Sequence, residues 1–471
     1  MLTRPIAVDL DGTLTRSDTL IENWLRAVKA RPSVVMLSLF WLMKGRSYLK
    51  AKLAEAHDIE VATLPYSESL LTWLREQKRE GVELILATAA NEKIAGAVAA
   101  HLGIFDRVIA STEDENLKAE VKAQRLSAAV GEGGFIYVGD SRADFPVWQA
   151  AFTAHAANPS QRVEREFAQL ENAGRIFIDP KAKSSLRTFI RAIRVHQWAK
   201  NLLIFVPLLA AHKIGEFAFV IDAILAIAAF SAIASSVYVL NDLLDLEEDR
   251  KHKTKRFRPF ASGDLRLQNG LILVPILLGF GFSLAFVFLP APFVLLLLFY
   301  LIITFGYSLW LKRLVLIDIL TLAMLYVLRV LGGVAALDLQ VTFWMLAFCI
   351  FLFSSLAMSK RYTEIQMMEA TQAKMHGRGY LPQDASLLEN MGSSLGLMSV
   401  LVLALYINEA DNYSQPELLW LTIPIFLFWI SRVWLLAKRG EMHEDPVVFA
   451  LKDNASRCSG AAFGAMFLLA I

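Results

Sequence analysis

The sequence predicts an α/β doubly wound soluble domain with a helical cap, followed by an all-α membrane domain of about nine transmembrane helices. Its hydrophobic share is 55% and its charged share only 20%, whereas soluble domains average about 45–50% and about 25%. Residues 1–180 carry 21 Lys and Arg and 24 Asp and Glu, and the longer remainder carries 26 and 21. The front part also alternates short apolar runs with helical segments, a pattern typical of a parallel sheet wound with helices.

The composition excludes several classes of protein. A chain this apolar is not wholly soluble, disordered or collagen-like. Its two cysteines, Cys349 and Cys458, lie in apolar stretches without the spacing of a disulfide framework or a metal site. The net charge of +2 gives no indication of nucleic-acid binding, and no nucleic acid is expected as a partner.

Short apolar runs mark the expected strands of the front domain, and helical stretches such as Ser67–Arg79 and Asn91–His101 separate them. In such sheets the functional residues gather at the carboxyl ends of the strands. Polar side chains follow three of the runs, namely Asp9, Thr88 and Asp140. The expected strands are Ile6–Val8, Val82–Ala87, Arg107–Ala110, Phe135–Val138 and Arg175–Ile178.

Four short motifs occur in a fixed order in the front domain. They are Asp9–Thr15 (DLDGTLT), Thr88, Lys118 with Lys122 as the alternative, and Gly139–Asp144 (GDSRAD). Their order and strand context resemble those of the haloacid dehalogenase-like hydrolases. The resemblance implies a phosphatase domain over residues 1–180, with a cap near residues 17–80.

The residue types of these motifs suit hydrolysis of a phosphomonoester. A carboxylate can attack phosphorus and form an aspartyl-phosphate, which is the role expected of Asp9. A second carboxyl group, that of Asp11, can protonate the leaving oxygen and then activate water. Thr88 and Lys118 are expected to hold and neutralise the phosphoryl oxygens. Mg²⁺ prefers carboxylate oxygens and is the expected cofactor here, with ligands among Asp9, Asp11, Asp140 and Asp144.

Within the expected cap, Val34–Met43 (VVMLSLFWLM) has Ser38 as its only polar member. The segment is too short to span a bilayer. One interpretation is a buried cap helix. The other is a helix that lies on the membrane or on the second domain, so that the cap can receive a lipid-linked substrate.

After the front domain the chain becomes basic and then strongly apolar. Residues 181–197, which include Lys181 and Lys183, are expected to form an amphipathic basic linker at the membrane surface. Residues 198–471 are expected to form the membrane domain. The expected spans lie near 198–211, 217–240, 270–289, 293–309, 314–334, 342–358, 391–408, 418–436 and 459–471.

The charges of the loops between these spans predict the topology. The loops 241–269, 310–313, 359–390 and 437–458 hold 17 Lys and Arg, whereas the opposite loops hold one. Because cytoplasmic loops are enriched in Lys and Arg, the sequence predicts a multi-pass protein of the inner (cytoplasmic) membrane. The front domain is then cytoplasmic, since Asp9 interrupts the first apolar run and no signal peptide is expected, and the C-terminus is outside.

An acidic segment follows the second expected span. It reads Asn241–Asp249 (NDLLDLEED), and a continued helix would place Asp242, Asp245 and Asp249 on one face. Carboxylates stacked in this way repel each other unless a cation such as Mg²⁺ bridges them to a diphosphate. Nearby cations suited to phosphate oxygens are Lys255, Arg256 and Arg258.

This segment resembles the first Asp-rich motif of the UbiA-type membrane prenyltransferase superfamily. The second motif of that superfamily is usually DxxxD, but here Asp318 is followed by Leu322 at the second acidic position. The stretches 196–201, 252–263, 328–333 and 359–364 are closer to the decaprenyl-phosphate phosphoribosyltransferase branch. That resemblance implies transfer of 5-phosphoribosyl from phosphoribosyl diphosphate to polyprenyl phosphate, in a lipid bilayer.

The resemblance also implies roles for individual residues. Asp242 and Asp245 would be catalytic, with Asp249 as a further metal ligand. Lys312, Lys360 and Arg361 would bind the acceptor phosphate or the 5-phosphate, and the assignment between these two is open. Arg329 and Asp318 are functional candidates because charges in spans are costly, or they simply pair with each other. The expected substrate-binding residues are Lys200, Asn241, Lys255, Arg256, Arg258, Lys312, Asp318, Arg329, Lys360 and Arg361.

Together the two domains suggest one pathway on one chain. The membrane domain would make polyprenylphosphoryl-5-phosphoribose, and the front domain would remove the 5-phosphate to give polyprenylphosphoryl ribose. One alternative is prenyl transfer from a prenyl diphosphate to an aromatic or other acceptor, with a separate phosphatase activity. Another is a transporter or lipid-binding protein with a regulatory soluble domain.

Overall fold

The computed structural model describes residues 4–56, 59–179, 185–371, 379–408, 413–442 and 445–470. The chain divides into two compact units. The first holds Met1–Ile193 and Tyr238–Val274, and the second holds Arg194–Val237 and Pro275–Ile471. This division differs from the expected one at residue 198, because Tyr238–Val274 joins the first unit. The expected linker residues Lys181 and Lys183 lie outside the described residues.

The first unit contains a six-stranded parallel sheet in its described part, with strand order β3-β2-β1-β4-β5-β6. Apolar side chains alternate between its faces, so that Ile6 and Val8 enter one core and Ala7 enters the other. Strand β5 was not predicted from the sequence, and the other strands lie within a few residues of their predicted positions. The strands are β1 Ile6–Val8, β2 Leu84–Asn91, β3 Arg107–Ser111, β4 Ile136–Gly139, β5 Thr153–Ala157 and β6 Ala173–Phe177.

Helices cover both faces of this sheet, and three of them form a cap between Thr15 and Tyr66, two residues joined by an antiparallel bridge. The next helix, α4, belongs to the sheet core, since its Leu70 and Leu74 pack with Ile6. The helices are α1 Thr19–Ala30, α2 Val34–Met43, α3 Arg46–Ala56, α4 Glu68–Arg79, α5 Glu92–Leu102, α6 Glu120–Val130, α7 Phe145–Ala150, α8 Gln161–Phe167 and α9 Leu186–Ala192.

The cap helix α2 is not buried. Seven of its apolar side chains are exposed, including Met36 at 71% and Met43 at 86%. The interpretation of this segment as a buried cap helix is therefore wrong.

The segment Tyr238–Val274 completes the first unit by covering α1 and α9. Leu243, Phe260 and Leu265 form one buried cluster with Leu25 of α1 and Ala192 of α9. Burial of such apolar surface is the main favourable contribution to association. The acidic segment is therefore part of the same compact unit as the sheet.

Among the described residues, seven helices are long and apolar enough to cross a membrane. The expected count of about nine is not confirmed. The first expected span is a 3-10 helix, Val195–Phe205, followed by a five-residue helix, and the last is a helix of 17 residues. The remaining helices are α10 Val206–Ala210, α11 Phe217–Leu244, α12 Leu246–Lys251, α13 Leu267–Phe288, α14 Ala291–Leu309, α15 Ile317–Ala336, α16 Phe343–Thr371, α17 Ala385–Asn408, α18 Thr422–Lys438, α19 Pro446–Lys452 and α20 Asn454–Ala470.

Candidate active sites

The first candidate site lies at the carboxyl ends of β1 and β4. Asp9 follows β1, and its Oδ1 accepts a hydrogen bond from the backbone N–H of Leu10 at 2.8 Å. The Lys122 Nζ lies 3.0 Å from the same oxygen and 3.6 Å from Asp144 Oδ1. Lys122 also donates to the Tyr137 hydroxyl at 2.9 Å and is almost fully buried. Asp9 is thus held in one orientation by a buried cation.

The lysine in contact with Asp9 is Lys122, which the sequence analysis offered only as the alternative. Lys118 is exposed and lies just before α6, whereas Lys122 lies in the first turn of that helix. Burial raises the pKa of the Asp9 carboxyl group, and the ammonium of Lys122 opposes this effect. The lysine therefore favours the ionised form that a nucleophile needs.

Among the described residues, one group of three acidic side chains brings a ligand atom of each within 4.8 Å of the others: Asp9, Asp140 and Asp144. Burial raises the pKa of Asp140 well above its ordinary value, and the nearby Asp144 adds to the effect. Three buried carboxylates beside one lysine form a donor set that fits a hard dication such as Mg²⁺. Asp11 lies outside this group.

Asp144 is already engaged by the protein. Its Oδ1 accepts a hydrogen bond from the Tyr137 hydroxyl at 2.7 Å, and its Oδ2 accepts from the backbone N–H groups of Asp140 and Ser141 at 3.2 and 3.0 Å. These contacts fix the turn that carries Asp140. Asp9 and Asp140 would therefore supply most of the oxygens to a cation, with Asp144 as their support. Asp140 Oδ2 also lies 3.4 Å from Arg266 Nη2.

Gly12 permits the close approach of the first motif to the fourth. Its φ is +80°, and a Cβ built at this position would lie 2.5 Å from Asp140 Oδ2. Any larger side chain would meet both the backbone strain of a positive φ and this carboxylate. The glycine therefore keeps Asp140 beside the loop that carries Asp9 and Asp11.

Asp11 lies against the start of α1. Its Oδ1 accepts a hydrogen bond from the backbone N–H of Thr19 at 2.8 Å. Burial, reinforced by the charge of Asp18, raises the pKa of Asp11 to about 8. Such a carboxyl group is protonated at neutral pH, which is the state of a general acid. Thr88 lies within β2, where the pairing with β3 shifts register, and it is buried. Its Oγ1 accepts from Ala90 N–H at 3.0 Å.

A cap residue that the sequence analysis missed also reaches this region. Lys50 of α3 donates to the Ala89 carbonyl oxygen at 2.6 Å and to Asn116 Oδ1 at 2.8 Å. Burial lowers the pKa of Lys50, while the charges of Asp11 and Asp18 oppose this. A lysine in the middle of a cap helix gives no motif signal, so only the fold could place it near Asp11 and Thr88.

The second candidate site includes the acidic segment, and here one prediction is wrong. The helix does not continue through Asp242, Asp245 and Asp249, because α11 ends at Leu244 and α12 begins at Leu246. Asp245 stands at the break, with φ −105° and ψ 21°. The three carboxylates therefore do not share one helix face.

Asp242 and Asp249 share one arginine as their partner, whereas Asp245 contacts a lysine of α1. Arg258 Nη1 lies 3.1 Å from Asp242 Oδ1 and 2.6 Å from Asp249 Oδ2. Burial raises the pKa of Asp249 to about 6, against the opposing charge of Arg258. Asp245 Oδ1 instead accepts from Lys29 of α1 at 2.7 Å.

The neighbours of these residues differ in exposure. Asn241 is half-buried, while Lys255 and Arg256 are exposed. Arg258 is partly exposed and contacts both Asp242 and Asp249.

In the second unit, Asp318 does not pair with Arg329. Both oxygens of Asp318 accept from Arg361, and its Oδ1 also accepts from the Tyr307 hydroxyl at 2.8 Å. Arg329 instead donates to Asn201 Oδ1 at 2.9 Å and to the Leu325 carbonyl. Since Asp318 and Arg361 are fully buried, each satisfies the other's charge.

A second polar cluster in the same unit joins two candidate residues, Lys200 and Lys360, to Asp445. Asp445 Oδ2 lies 2.8 Å from Lys200 Nζ and 3.0 Å from Lys360 Nζ, and its Oδ1 accepts from the Tyr326 hydroxyl at 2.8 Å. The sequence analysis missed Asp445, because it precedes a short helix far along the chain. Lys312 is half-buried in the turn Leu311–Arg313.

Comparisons with known proteins identify both parts. The model of the UbiA prenyltransferase family matches residues 202–452. The model of the haloacid dehalogenase-like hydrolases matches residues 6–149.

Curated relatives extend over different shares of the chain. Uncharacterized protein y4nM of Sinorhizobium fredii is 35% identical over 99% of this chain and 91% of its own length. Nodulation protein NoeC of Azorhizobium caulinodans is 32% identical over 61% of this chain and 95% of its own. Decaprenyl-phosphate phosphoribosyltransferase of Corynebacterium glutamicum is 31% identical over 51% of this chain and 74% of its own.

Among solved structures, a UbiA homolog from Archaeoglobus fulgidus bound to DMAPP and Mg²⁺ has a TM-score of 0.48 and 16% identity. It covers 60% of this chain and 99% of its own. The family model spans more than half of the chain, and y4nM spans nearly all of it. The chain therefore belongs to the UbiA prenyltransferase family and carries a haloacid dehalogenase-like hydrolase domain at its front.

Proposed function

We propose that the chain is a bifunctional membrane enzyme. The membrane domain transfers 5-phosphoribosyl from phosphoribosyl diphosphate to polyprenyl phosphate, and the front domain hydrolyses the 5-phosphate to give polyprenylphosphoryl ribose. The observation that carries the proposal is the joining of a buried Asp9–Lys122 phosphatase site to a membrane domain related to decaprenyl-phosphate phosphoribosyltransferases.

In the front domain, Asp9 attacks phosphorus and the bond to the sugar oxygen breaks. Asp11 gives its proton to that oxygen, which leaves as a hydroxyl group. The resulting Asp11 carboxylate then takes a proton from the water that cleaves the aspartyl-phosphate, and inorganic phosphate is released. Lys122 and Thr88 orient the phosphoryl oxygens. Mg²⁺ held by Asp9 and Asp140 would neutralise phosphoryl charge.

In the membrane domain, an oxygen of the polyprenyl phosphate attacks the anomeric carbon and diphosphate leaves. The acceptor is already ionised, so the chain needs no general base. Positioning carries most of the catalytic burden. Arg258, and with it Lys255 and Arg256, would bind phosphate oxygens of the donor. Mg²⁺ at Asp242 and Asp249 would neutralise the departing diphosphate.

The pairing of Asp318 favours this donor over a prenyl diphosphate. Its two oxygens are taken up by Arg361 and Tyr307, and Leu322 replaces the second acid. The second acidic motif therefore has one carboxylate in place of two, and that carboxylate is fully buried against Arg361. Cytoplasmic orientation of the front domain is part of the proposal, since both substrates carry phosphate and the basic loops are expected on that side.

The test supplies purified protein with labelled phosphoribosyl diphosphate, polyprenyl phosphate and Mg²⁺, and analyses the lipids by mass spectrometry. We expect polyprenylphosphoryl ribose from the parent protein and the 5-phosphorylated lipid from Asp9→Asn. Asp114→Asn, a change at an exposed acid, is the matched control. Unchanged products with Asp9→Asn would refute the coupling, and consumption of a prenyl diphosphate without phosphoribosyl diphosphate would establish the prenyltransferase alternative.

A further inference from the structure

The cap helix α2, Val34–Met43, presents an apolar surface in nearly every direction. One side holds it to the cap, since Val34 and Trp41 pack with Ala27 of α1 and Leu53 of α3. On that side Trp24 also donates to Ser38 Oγ at 3.1 Å. The exposed apolar side chains are Val35, Met36, Leu37, Leu39, Phe40, Leu42 and Met43. A contiguous exposed surface of this kind marks an interaction site.

Charges at the ends of α2 indicate what covers this surface. Arg31 precedes the helix, Lys44 and Arg46 follow it, and all three are exposed. An apolar helix with basic ends suits the boundary between acyl chains and anionic headgroups. Ten residues are too few to span a bilayer. The described part of the chain also contains seven helices able to cross a membrane, so a bilayer accompanies the protein wherever it resides.

The cap connects this surface to the phosphatase residues. After Met43 the chain has only Lys44 and Gly45 before α3 begins at Arg46. One turn into α3, Lys50 contacts the Ala89 carbonyl beside Thr88. The cap thus carries both the exposed apolar helix α2 and Lys50, which reaches the Asp9 site.

We propose that α2 lies in the bilayer interface and holds the phosphatase cap there. The front site then takes phosphomonoesters whose lipid tail stays in the membrane, in preference to soluble ones. The preference for a lipid substrate rests on the proposed function, whereas the location of α2 does not.

The first test measures the location of α2 directly. The exposed native cysteine is removed by Cys458→Ser, and Phe40→Cys introduces a new one in the full-length protein. The new cysteine is labelled with an environment-sensitive fluorophore. The labelled protein is then placed in vesicles of phosphatidylglycerol and phosphatidylcholine. The matched control places the cysteine at Arg75, on the exposed side of α4. Lipids with brominated acyl chains should quench the label at position 40 about threefold more than the label at position 75.

Equal quenching at the two positions would overturn the proposal. So would efficient disulfide cross-linking between two copies through position 40, because the surface would then be an interface between chains. Both readouts are independent of any turnover. Quenching at position 40 without phosphoribosyl transfer would therefore refute the proposed function and leave the location of α2 supported.

The second test measures the substrate preference. The double variant Leu39→Asp and Phe40→Asp should lower hydrolysis of the 5-phosphorylated lipid in vesicles about tenfold. It should leave hydrolysis of p-nitrophenyl phosphate unchanged, because neither residue is part of the phosphatase machinery. Thr72→Asp with Arg75→Asp on α4 is the control, expected to alter neither rate. An equal fall for both substrates, or no fall for the lipid, would overturn the preference.

Discussion

Arg250 of α12 donates two hydrogen bonds to Glu22 of α1, at 2.9 and 2.6 Å, and each side chain is only 5% exposed. The third donor, Nε, reaches the Ala261 carbonyl oxygen at 3.0 Å. Each of the three guanidinium nitrogens thus has a partner within the first unit. An arginine next to an acidic segment suggests phosphate binding from sequence alone, but this one joins the phosphatase domain to that segment.

Removal of one partner of this pair should loosen the acidic segment. Glu22→Gln leaves the Arg250 charge buried without its carboxylate, and such changes cost about 3–5 kcal/mol. We expect faster hydrogen exchange in peptides covering α12 and Phe260, measured by mass spectrometry. Glu115→Gln removes an exposed partner of Arg125 and should leave exchange unchanged. Unaltered exchange in Glu22→Gln would contradict this account.

The identity of the phosphatase lysine can be settled by two matched substitutions. Lys122→Met removes the ammonium 3.0 Å from Asp9 and should lower phosphatase kcat by about 10²-fold or more. Lys118→Met, at an exposed position, should change kcat by less than about twofold. The measurement is steady-state hydrolysis of p-nitrophenyl phosphate. A larger loss with Lys118→Met than with Lys122→Met would reverse the assignment.

The two steps assigned to Asp11 should separate with the leaving group. Nitrophenolate leaves without a proton, so Asp11→Asn should still release one equivalent of nitrophenol per enzyme in a rapid burst. Turnover after the burst should fall by about 10²–10⁴-fold, because no base activates the water. Stopped-flow absorbance measures both phases. Asp9→Asn should show no burst, and a burst there would show that another nucleophile is used.

The stability of the sheet should depend on pH through His155. Burial lowers its pKa to about 4, and its neutral Nδ1 accepts from the Arg175 backbone N–H at 2.9 Å. The unfolded imidazole has a pKa near 6.5, so between pH 6.5 and 4 only the unfolded form takes up the proton. Stability is complete above pH 6.5 and falls by about 3 kcal/mol as the pH drops to 4.

Hydrogen exchange of peptides from β5 at pH 7.5 and pH 5, corrected for intrinsic rates, measures this loss. His155→Asn keeps an acceptor but does not titrate in this range. The variant should be less stable at pH 7.5 but should show a smaller change between the two pH values. An identical pH dependence in both proteins would assign the effect to other groups.

The pair Asp318–Arg361 should be structural rather than substrate-binding. Arg361→Met alone leaves the buried Asp318 carboxylate without its arginine, at a cost of about 3–5 kcal/mol. Asp318→Asn should cost less, because Arg361 keeps Glu364 as a second acidic partner at 2.5 Å. The double variant Asp318→Leu with Arg361→Met should recover thermal stability in detergent and keep transferase activity within about tenfold. A stable double variant without transferase activity would show that one of the two contacts the substrate.

The positions proposed for Asp9 and Asp140 follow from strand ends, which the apolar runs locate. Thr88 instead lies within β2, which continues to Asn91. Strand β5 was missed because Thr153–Ala157 (TAHAA) consists of small and polar residues with weak strand preference. The motif could not distinguish Lys118 from Lys122. The two differ in whether they precede α6 or lie in its first turn, and this depends on where the helix begins.

The acidic segment was harder to predict for a different reason. No Gly or Pro marks the break at Asp245, so the periodicity alone indicates an unbroken helix. The partners that accompany the break, Lys29 and Glu22, lie more than 200 positions away in the chain. Such contacts depend on the tertiary fold, so they cannot be predicted from the residue pattern of the acidic segment alone.

The inclusion of Tyr238–Val274 in the first unit has a consequence for the order in which the protein matures. Domains generally fold as they leave the ribosome, the N-terminal one first. Here Leu25 of α1 and Ala192 of α9 lack their packing partners Leu243 and Phe260 until these residues have been synthesised. By then helix α11, which ends at Leu244, must already have been offered to the membrane. We therefore expect the first unit to be completed only after the whole of α11, a candidate membrane span, has been synthesised.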